Sequence, residues 1–292
     1  MGCLMENGSG LVFKRSLADG DADDLIRILH YVRERRGLDF KAYQPGATNR
    51  RLALRMAALN LPDYPAYYRY LTENNQEIEA LIDSLTIKVS RFFRNPFVFE
   101  ALAALILPRL LAVGPEPIRV WCAGCARGEE PYSLAILFRE LLGRNQVAPP
   151  IFILGTDIDE QSLLAAREAV YPEEGVAEVK KNLLDRYFIQ EQGRYRLHEE
   201  IKGMVAFARH DVTTDRPPSG GVFSGYNLIL CRNVLIYLKR ESQRRVMTTL
   251  AGCLHPGGAL VLGEAETLPE GFPGFKEILP NAKIFIKESR DA

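Results

Sequence analysis

Ile118-Arg-Val-Trp-Cys-Ala-Gly-Cys-Ala-Arg-Gly-Glu-Glu-Pro-Tyr-Ser133 runs from a short apolar segment, through a turn with two glycines, into an acidic helix start. The apolar residues Ile118–Trp121 have the length of a buried strand, and a helical pattern extends over 131–142. A glycine-bearing turn between strand and helix lets a ligand approach the backbone closely and meet the helix N-terminus. The spacing Gly124-x-x-x-Gly128 differs from G-x-G-x-x-G, and Glu129-Glu130 would repel a pyrophosphate. The turn therefore suits a cationic or hydroxyl-bearing ligand better than a dinucleotide.

Outward from this unit the same alternation continues. Ile151–Leu154, Val205–Phe207, Tyr226–Leu230 and Ala259–Leu262 read as further buried strands, with helices at 131–142, 160–169 and 239–253 separating several of them. Strands alternating with helices predict an α/β fold with a parallel sheet covered on both faces. The segments around His255-Pro256-Gly257-Gly258 and at Ala282–Lys287 predict an antiparallel edge. Tyr171–Met204 is more polar, with a turn in Gln190–Tyr195, and reads as an insertion into the sheet domain. Ahead of the sheet, residues 21–88 are helical. Leu25, Ile28, Leu29 and Val32 form an i, i+3, i+4, i+7 stripe, a second helix starts near Thr48 and stops before Pro62, and 64–85 stays helical. Residues 1–20 carry Gly, Ser and Asp without periodicity and are expected to be disordered.

Composition narrows the function classes. The chain has 292 residues, 37 basic and 37 acidic, with 47% hydrophobic and 25% charged residues. That balance excludes a disordered or highly charged tail protein and gives no general pull toward nucleic acid or anionic membrane. The longest apolar-rich run, Val98 to Val113, is cut by Glu100, Pro108 and Arg109, so no membrane insertion is expected. Five scattered cysteines do not form a disulfide framework, which fits a reduced, cytoplasmic setting.

Three other clusters can carry chemistry. The second strand ends in Gly155-Thr156-Asp157-Ile158-Asp159. Asp159, directly before Glu160-Gln161-Ser162, is placed as a helix cap, leaving Asp157 at the strand tip to accept hydrogen bonds from ribose hydroxyls. Cys231-Arg-Asn-Val-Leu-Ile-Tyr237 follows a buried strand, putting Asn233 and Tyr237 where open α/β sheets bind ligands. Cys122-x-x-Cys125 has redox spacing, but Glu129-Glu130 at the helix start disfavours a thiolate. The four histidines show no metal spacing, and no metal is expected. The basic run from Arg33 to Arg55 reads as a solvated face or a site for an acidic protein partner. Arg51 and Arg55 lie one helical turn apart on it.

Phe92-Phe93-Arg94, Ala123–Ser133, Thr156-Asp-Ile-Asp159 and Cys231–Tyr237, in this order, resemble the CheR family of chemotaxis receptor methyltransferases over roughly residues 24–286. The resemblance implies a Rossmann-like methyltransferase sheet at 89–292 using S-adenosylmethionine, an N-terminal helical domain at 21–88, and a small inserted antiparallel β-subdomain at about 172–205. It implies methyl transfer to glutamate side chains of a chemoreceptor's cytoplasmic helical region, giving a γ-methyl ester and S-adenosylhomocysteine. Carried over by position, Arg94 and Tyr237 would border the transferring methyl. Lys88, Ser90, Arg94, Gly124, Glu129, Asp157, Asp211, Val212, Asn233 and Val234 would contact the cofactor. Arg50, Arg51 and Arg55 would steer the acidic receptor helix, and the chain would act as a monomer.

The chain departs from the family in places. Lys88 and Ser90 stand where Asn and Thr are usual, Asp211-Val212 where Asn-Leu is common, and Arg127 replaces a small polar residue. Asp211 can still accept from an adenine amino group. The stretch Phe188–Met204 holds only Gly193 and Gly203, too few for the Gly-rich insertion with which some members grip a receptor's C-terminal pentapeptide, so independence from that tether is expected. The alternatives are a CheR-like interaction module without turnover and an S-adenosylmethionine methyltransferase for another substrate. Arg-Asn-Val-Leu in place of the Asn/Asp-Pro-Pro-Tyr/Phe of base-amine methyltransferases counts against nucleic acid as that substrate.

Overall fold

The structure, a computed structural model, describes residues 19–86, 90–114, 116–143, 149–218 and 225–289. Most of the N-terminal stretch expected to be disordered, and Lys88, lie outside the described residues.

Four helices come first: α1 (Asp19–Arg36), α2 (Pro45–Ala58), α3 (Tyr64–Glu73) and α4 (Glu77–Leu85). Pro45 supplies a preset φ at the start of α2, ahead of the expected Thr48. Asp63 caps α3 by accepting from the Ala66 N–H. The region expected to be one helical stretch at 64–85 is broken at Asn74, whose extended backbone ends α3. Leu25, Ile28, Leu29 and Val32 are buried as their spacing predicts, against Leu52, Tyr67 and Leu81. A buried carboxylate sits in this core: Glu77 receives the forked guanidinium of Arg55 (2.8 and 2.6 Å) and the Tyr67 hydroxyl (2.7 Å). Helices α5 (Pro96–Ala101) and α6 (Leu107–Ala112) flank a π-helical turn, Leu102–Ile106, just before Pro108, whose missing N–H disturbs the ladder.

The sheet then follows the βα alternation: β1 (Ile118–Ala123), α7 (Glu129–Leu142), β2 (Ile151–Asp157) and α8 (Glu160–Glu168). Next comes the insertion: β3 (Val170–Pro172), α9 (Glu173–Val176), α10 (Lys181–Tyr187), β4 (Phe188–Glu191), β5 (Arg194–Leu197) and α11 (Glu199–Lys202). Its strands form a separate antiparallel sheet in the order β3-β5-β4. The β4–β5 hairpin closes through Gln192 and Gly193, both at positive φ, as two-residue hairpin turns require. The chain re-enters the main sheet with β6 (Val205–Arg209), β7 (Tyr226–Cys231), α12 (Arg240–Cys253), β8 (Leu254–Leu262), β9 (Phe275–Leu279) and β10 (Ile284–Lys287).

The main sheet has the order β6-β2-β1-β7-β8-β10-β9. The first five run parallel, while β10 pairs antiparallel with β8 and β9. Val120 and Cys122 enter one core and Trp121 and Ala123 the other, because alternate strand residues face opposite sides. A continuous apolar run is therefore what a strand covered on both faces needs. Two details differ from the sequence expectation. His255–Gly258 lie within β8, which begins directly after α12, and form no turn between strands. The outer edge is β9, where Lys276 and Glu277 hide the strand signal while charging an exposed edge. Among the described residues no helix is long and apolar enough to cross a membrane.

The strand order reverses beside β1, with β2 and β6 on one side and β7 and β8 on the other. A crevice outside the carboxyl ends of β1, β2 and β7 follows from that topology. The helical domain reaches it through a short backbone splice. The Gln44 N–H donates to the Tyr237 carbonyl (2.8 Å), the Lys239 N–H donates to the Ala42 carbonyl (2.9 Å), and Tyr43 bridges Leu238.

Candidate active site

After β1 the chain turns at Gly124, with φ +75°, and its N–H and that of Cys125 donate to the Thr156 carbonyl at the end of β2. A Cβ at Gly124 would collide with Val234 Cγ2, so this position needs glycine both for its backbone and for its neighbour. Gly128 precedes α7 at φ +86°, where a Cβ would lie 2.9 Å from Phe207 and 3.0 Å from Ala166. The turn is thus pressed between strand and helix. Asp157 holds it open from the β2 side, with one carboxylate oxygen accepting from Ala126 N–H (2.8 Å) and the other from Asp159 N–H (3.0 Å). Asp159 caps α8 through the Ser162 N–H, as the sequence predicts.

The crevice has two lobes that share Gly124, Asn233 and Tyr237. Ser90, Arg91, Arg94, Glu130 and Arg232 line the first, and Tyr43, Asp157, His210, Asp211, Val212 and Val234 the second. Burial raises the Asp157 and Glu130 carboxyls above their usual range and pushes Glu129 up to about 7. Burial also raises the Tyr43 phenol, assisted by the charges of Asp211 and Asp157.

Arg94 is presented by a turn in which Phe93 and Asn95 both adopt positive φ. Phe93 N–H donates to the Ser133 hydroxyl, which donates to the Glu129 carbonyl. Beneath lies buried Arg232, paired with Glu130 at 3.0 Å and donating to the Arg94 carbonyl (2.9 Å) and the Asn95 side chain (3.0 Å). The Cys231–Tyr237 loop is held by buried Glu266, which accepts N–H bonds from Asn233 (2.9 Å), Ile236 (3.2 Å) and Gly263 (2.6 Å). Asn233 turns at φ +60° on this carboxylate, so Tyr237 stands on a loop fixed from two sides, by Glu266 and by Gln44.

Ser90, Arg94, Gly124, Asp157, Asp211, Val212, Asn233, Val234 and Tyr237 therefore converge on one crevice. Glu129 is buried at the start of α7, next to Glu130 in the first lobe. The basic face of α2, read as a solvated run or a site for an acidic partner, is in large part engaged within the chain. Arg51 Nη1 donates to the Ser84 and Thr86 carbonyls (2.9 Å each), closing the end of α4, and Arg55 is engaged by Glu77. Arg50 is exposed and makes no ion pair among the described residues. Cys122 and Cys125 are both fully buried with pKa values raised by desolvation, which removes the thiolate a redox pair requires.

Sequence reasoning missed Tyr43, Glu130, His210, Arg232 and Glu266. Arg232 and Glu130 sit inside motifs already singled out, and for Arg232 a charge directly after the apolar strand β7 was an available signal. Tyr43, His210 and Glu266 had none.

These residues suit S-adenosylmethionine on three observations. Glu129 Oε2 is buried and accepts no hydrogen bond among the described residues. His210 Nε2 lies 2.9 Å from the Arg216 carbonyl and must carry the hydrogen there, leaving buried Nδ1 as an unused acceptor in the neutral ring. Burial lowers the His210 pKa, which keeps that ring neutral. The lining is rich in carboxylate acceptors, as a cationic, hydroxyl-bearing nucleoside demands.

Residues 88–284 match the family described as CheR methyltransferase, SAM binding domain, and residues 23–86 match CheR methyltransferase, all-alpha domain. The chain is similar to an uncharacterized 104.1 kDa protein of Rhodobacter capsulatus, 34% identical over 267 residues, covering 90% of this chain and 27% of that protein. It is 30% identical over 245 residues to a chemotaxis protein methyltransferase of Listeria innocua, covering 84% of this chain and 90% of that protein. The chemotaxis protein methyltransferase of Borreliella burgdorferi is 31% identical over 265 residues, covering 88% and 92%.

Proposed function

The chain belongs to the CheR methyltransferase family, and on that premise we propose that it methylates glutamate side chains in the cytoplasmic helical region of chemoreceptors. The products are γ-methyl esters and S-adenosylhomocysteine. The observation that carries this reading is that Arg94 and Tyr237 line one recess, joined through Gly124 and Asn233 to the acidic lobe of Asp157 and Asp211.

Bound S-adenosylmethionine supplies an electrophilic methyl on a sulfonium. Asp157, at the tip of β2, keeps a second lone pair on each oxygen for ribose hydroxyls after holding Ala126 and Asp159. Glu129 and the Asn233–Val234 turn would hold the remaining polar groups, Asp211 would accept from the adenine amino group, and Gly124 would let the cofactor approach the backbone. A substrate glutamate has an ordinary pKa of about 4.3 and is already the nucleophile at neutral pH. No general base is needed, which agrees with a recess lined by Arg, Tyr and Asn in which the carboxylate Glu130 is tied up by Arg232. Arg94 orients the attacking carboxylate, the Tyr237 hydroxyl hydrogen-bonds to it, and the recess excludes water. Arg50 is left to draw the acidic receptor helix, while Arg51 acts mainly by shaping the end of α4.

The two-residue turn Gln192-Gly193 leaves no added loop on the small sheet, which supports methylation without a C-terminal tether. Calorimetric titration of a receptor C-terminal pentapeptide should show no binding, and micromolar affinity would refute that part. The reaction itself is tested with methyl-labelled S-adenosylmethionine and a receptor cytoplasmic fragment. Base-labile label should enter the fragment with wild-type protein and be lost with Arg94→Ala. A wild-type protein that binds the cofactor yet labels no fragment would favour the interaction-module alternative.

A further inference from the structure

Outside the first lobe lies a vestibule bounded by Arg91, Arg94, Asn95, Glu178, Glu264 and Asn233. Arg91, Arg94 and Asn233 line both spaces, so the vestibule opens onto the recess that holds Tyr237. Arg91 arrives there for a local reason. Phe92 and Phe93 are buried, Phe92 edge-on to Tyr171 and Phe188 and Phe93 edge-on to Phe99. The turn they anchor throws both flanking guanidinium groups to the same side.

Arg91 pairs with Glu178, a residue of the inserted subdomain, through a single contact of 3.2 Å. The pair is 48% and 25% exposed, and Glu178 Oε2 is buried without accepting a hydrogen bond among the described residues. A one-point pair with a half-exposed guanidinium is worth little, of the order of 1 kcal/mol or less. An incoming carboxylate that takes the fork of Arg91 with two oxygens forms the stronger contact.

We propose that Arg91 is the entry residue for the substrate carboxylate, and that Glu178 occupies Arg91 as an internal surrogate until an acidic side chain displaces it. Glutamate is thereby favoured over glutamine before it reaches Arg94. This rests on the protein-glutamate reading above.

The test uses the full chain loaded with S-adenosylhomocysteine and a receptor cytoplasmic fragment carrying glutamate or glutamine at the methylated positions. Binding is read by fluorescence anisotropy on that complex, and transfer by label incorporation in separate reactions in which methyl-labelled S-adenosylmethionine replaces the product. Arg91→Gln should weaken binding of the glutamate fragment about fivefold, the scale of one partly exposed charge contact, and raise KM with kcat little changed. Glu178→Gln should act in the opposite sense, tightening binding and lowering KM by about two- to threefold. Affinity for S-adenosylhomocysteine should not move in either variant.

A pair that merely clamps the subdomain would shift both variants in the same direction, and that result overturns the inference. So does a wild-type protein that binds both fragments equally. Opposite shifts in binding with no label transferred by wild type would uphold Arg91 as a carboxylate receptor and defeat the methyltransferase reading instead.

Discussion

Two arginine–glutamate pairs, one in each half of the molecule and each with a buried partner, are built differently. In the helical domain Glu77 takes the full fork of Arg55 and the Tyr67 hydroxyl, so both of its oxygens are engaged. At the crevice Arg232 meets Glu130 through one nitrogen, spends another on the Arg94 carbonyl and the Asn95 side chain, and leaves its buried Nε without a partner among the described residues. The first pair closes on itself and serves a core. The second is left open-ended, and its Nη1 and Nη2 bonds link Glu130 of helix α7 to the turn that carries Arg94.

Breaking the closed pair should have the largest effect. Arg55→Ala strands a buried carboxylate and should cost about 3–5 kcal/mol in denaturant unfolding, while kcat measured well below the melting temperature stays close to wild type. Replacing both partners, Arg55→Met with Glu77→Leu, should recover most of that loss. If the double variant is as unstable as the single one, the pair does more than neutralise itself.

Breaking the open pair should instead show in turnover. Arg232→Gln is expected to lower kcat about 10- to 100-fold, equivalent to roughly 1.4–2.8 kcal/mol, with S-adenosylhomocysteine affinity little changed. A fall in melting temperature with kcat intact would make the two pairs equivalent and remove the distinction.

Glu129, beside the open pair, sharpens the contrast through pH. Its folded pKa of about 7 exceeds its ordinary value near 4.5, because burial disfavours the charged form. The folded protein therefore keeps a proton that the unfolded chain releases, so stability falls as pH rises from 4.5 to about 7 and then levels. Cofactor binding runs the other way, since the ionised carboxylate is the form that holds a cation. Calorimetry should find S-adenosylmethionine bound about tenfold more weakly at pH 6 than at pH 8. Glu129→Gln should flatten that profile, and a slope that survives the substitution would assign it to another group. The smallest effect belongs to a local feature of the helical half. Asp63→Ala removes the cap of α3 and should cost about 1 kcal/mol in thermal unfolding, without altering cofactor affinity.

What could be read in advance follows from how local each feature is. The β1–turn–α7 unit, the buried strands and the division of labour between Asp157 and Asp159 depend on neighbours within a few residues. Their signals are apolar runs, glycine backbone freedom and a cap three residues from its N–H. The basic face of α2 was half legible: spacing puts Arg51 and Arg55 on one side of a helix, but their partners, Glu77, Ser84 and Thr86, lie tens of residues onward. Charge spacing shows which residues share a face and is silent about what that face meets. The β9 edge was missed because an edge strand with one open side needs no apolar alternation.

The sequence by itself determined the alternating sheet, the helical domain ahead of it and the placing of Asp157, Asn233 and Tyr237 at strand ends, because chain-local chemistry specifies strands, turns and caps. Ser90, Arg94, Asp211 and Val212 followed only from the family resemblance. Only the tertiary structure decided that Glu266 clamps the Tyr237 loop from 33 residues away, that Tyr43 brings the helical domain to the second lobe, and that Arg232 supports Arg94 across 138 residues of chain. Those contacts are between groups that meet only when the sheet has formed, and a buried carboxylate or guanidinium takes whichever donors and acceptors the fold then places within reach.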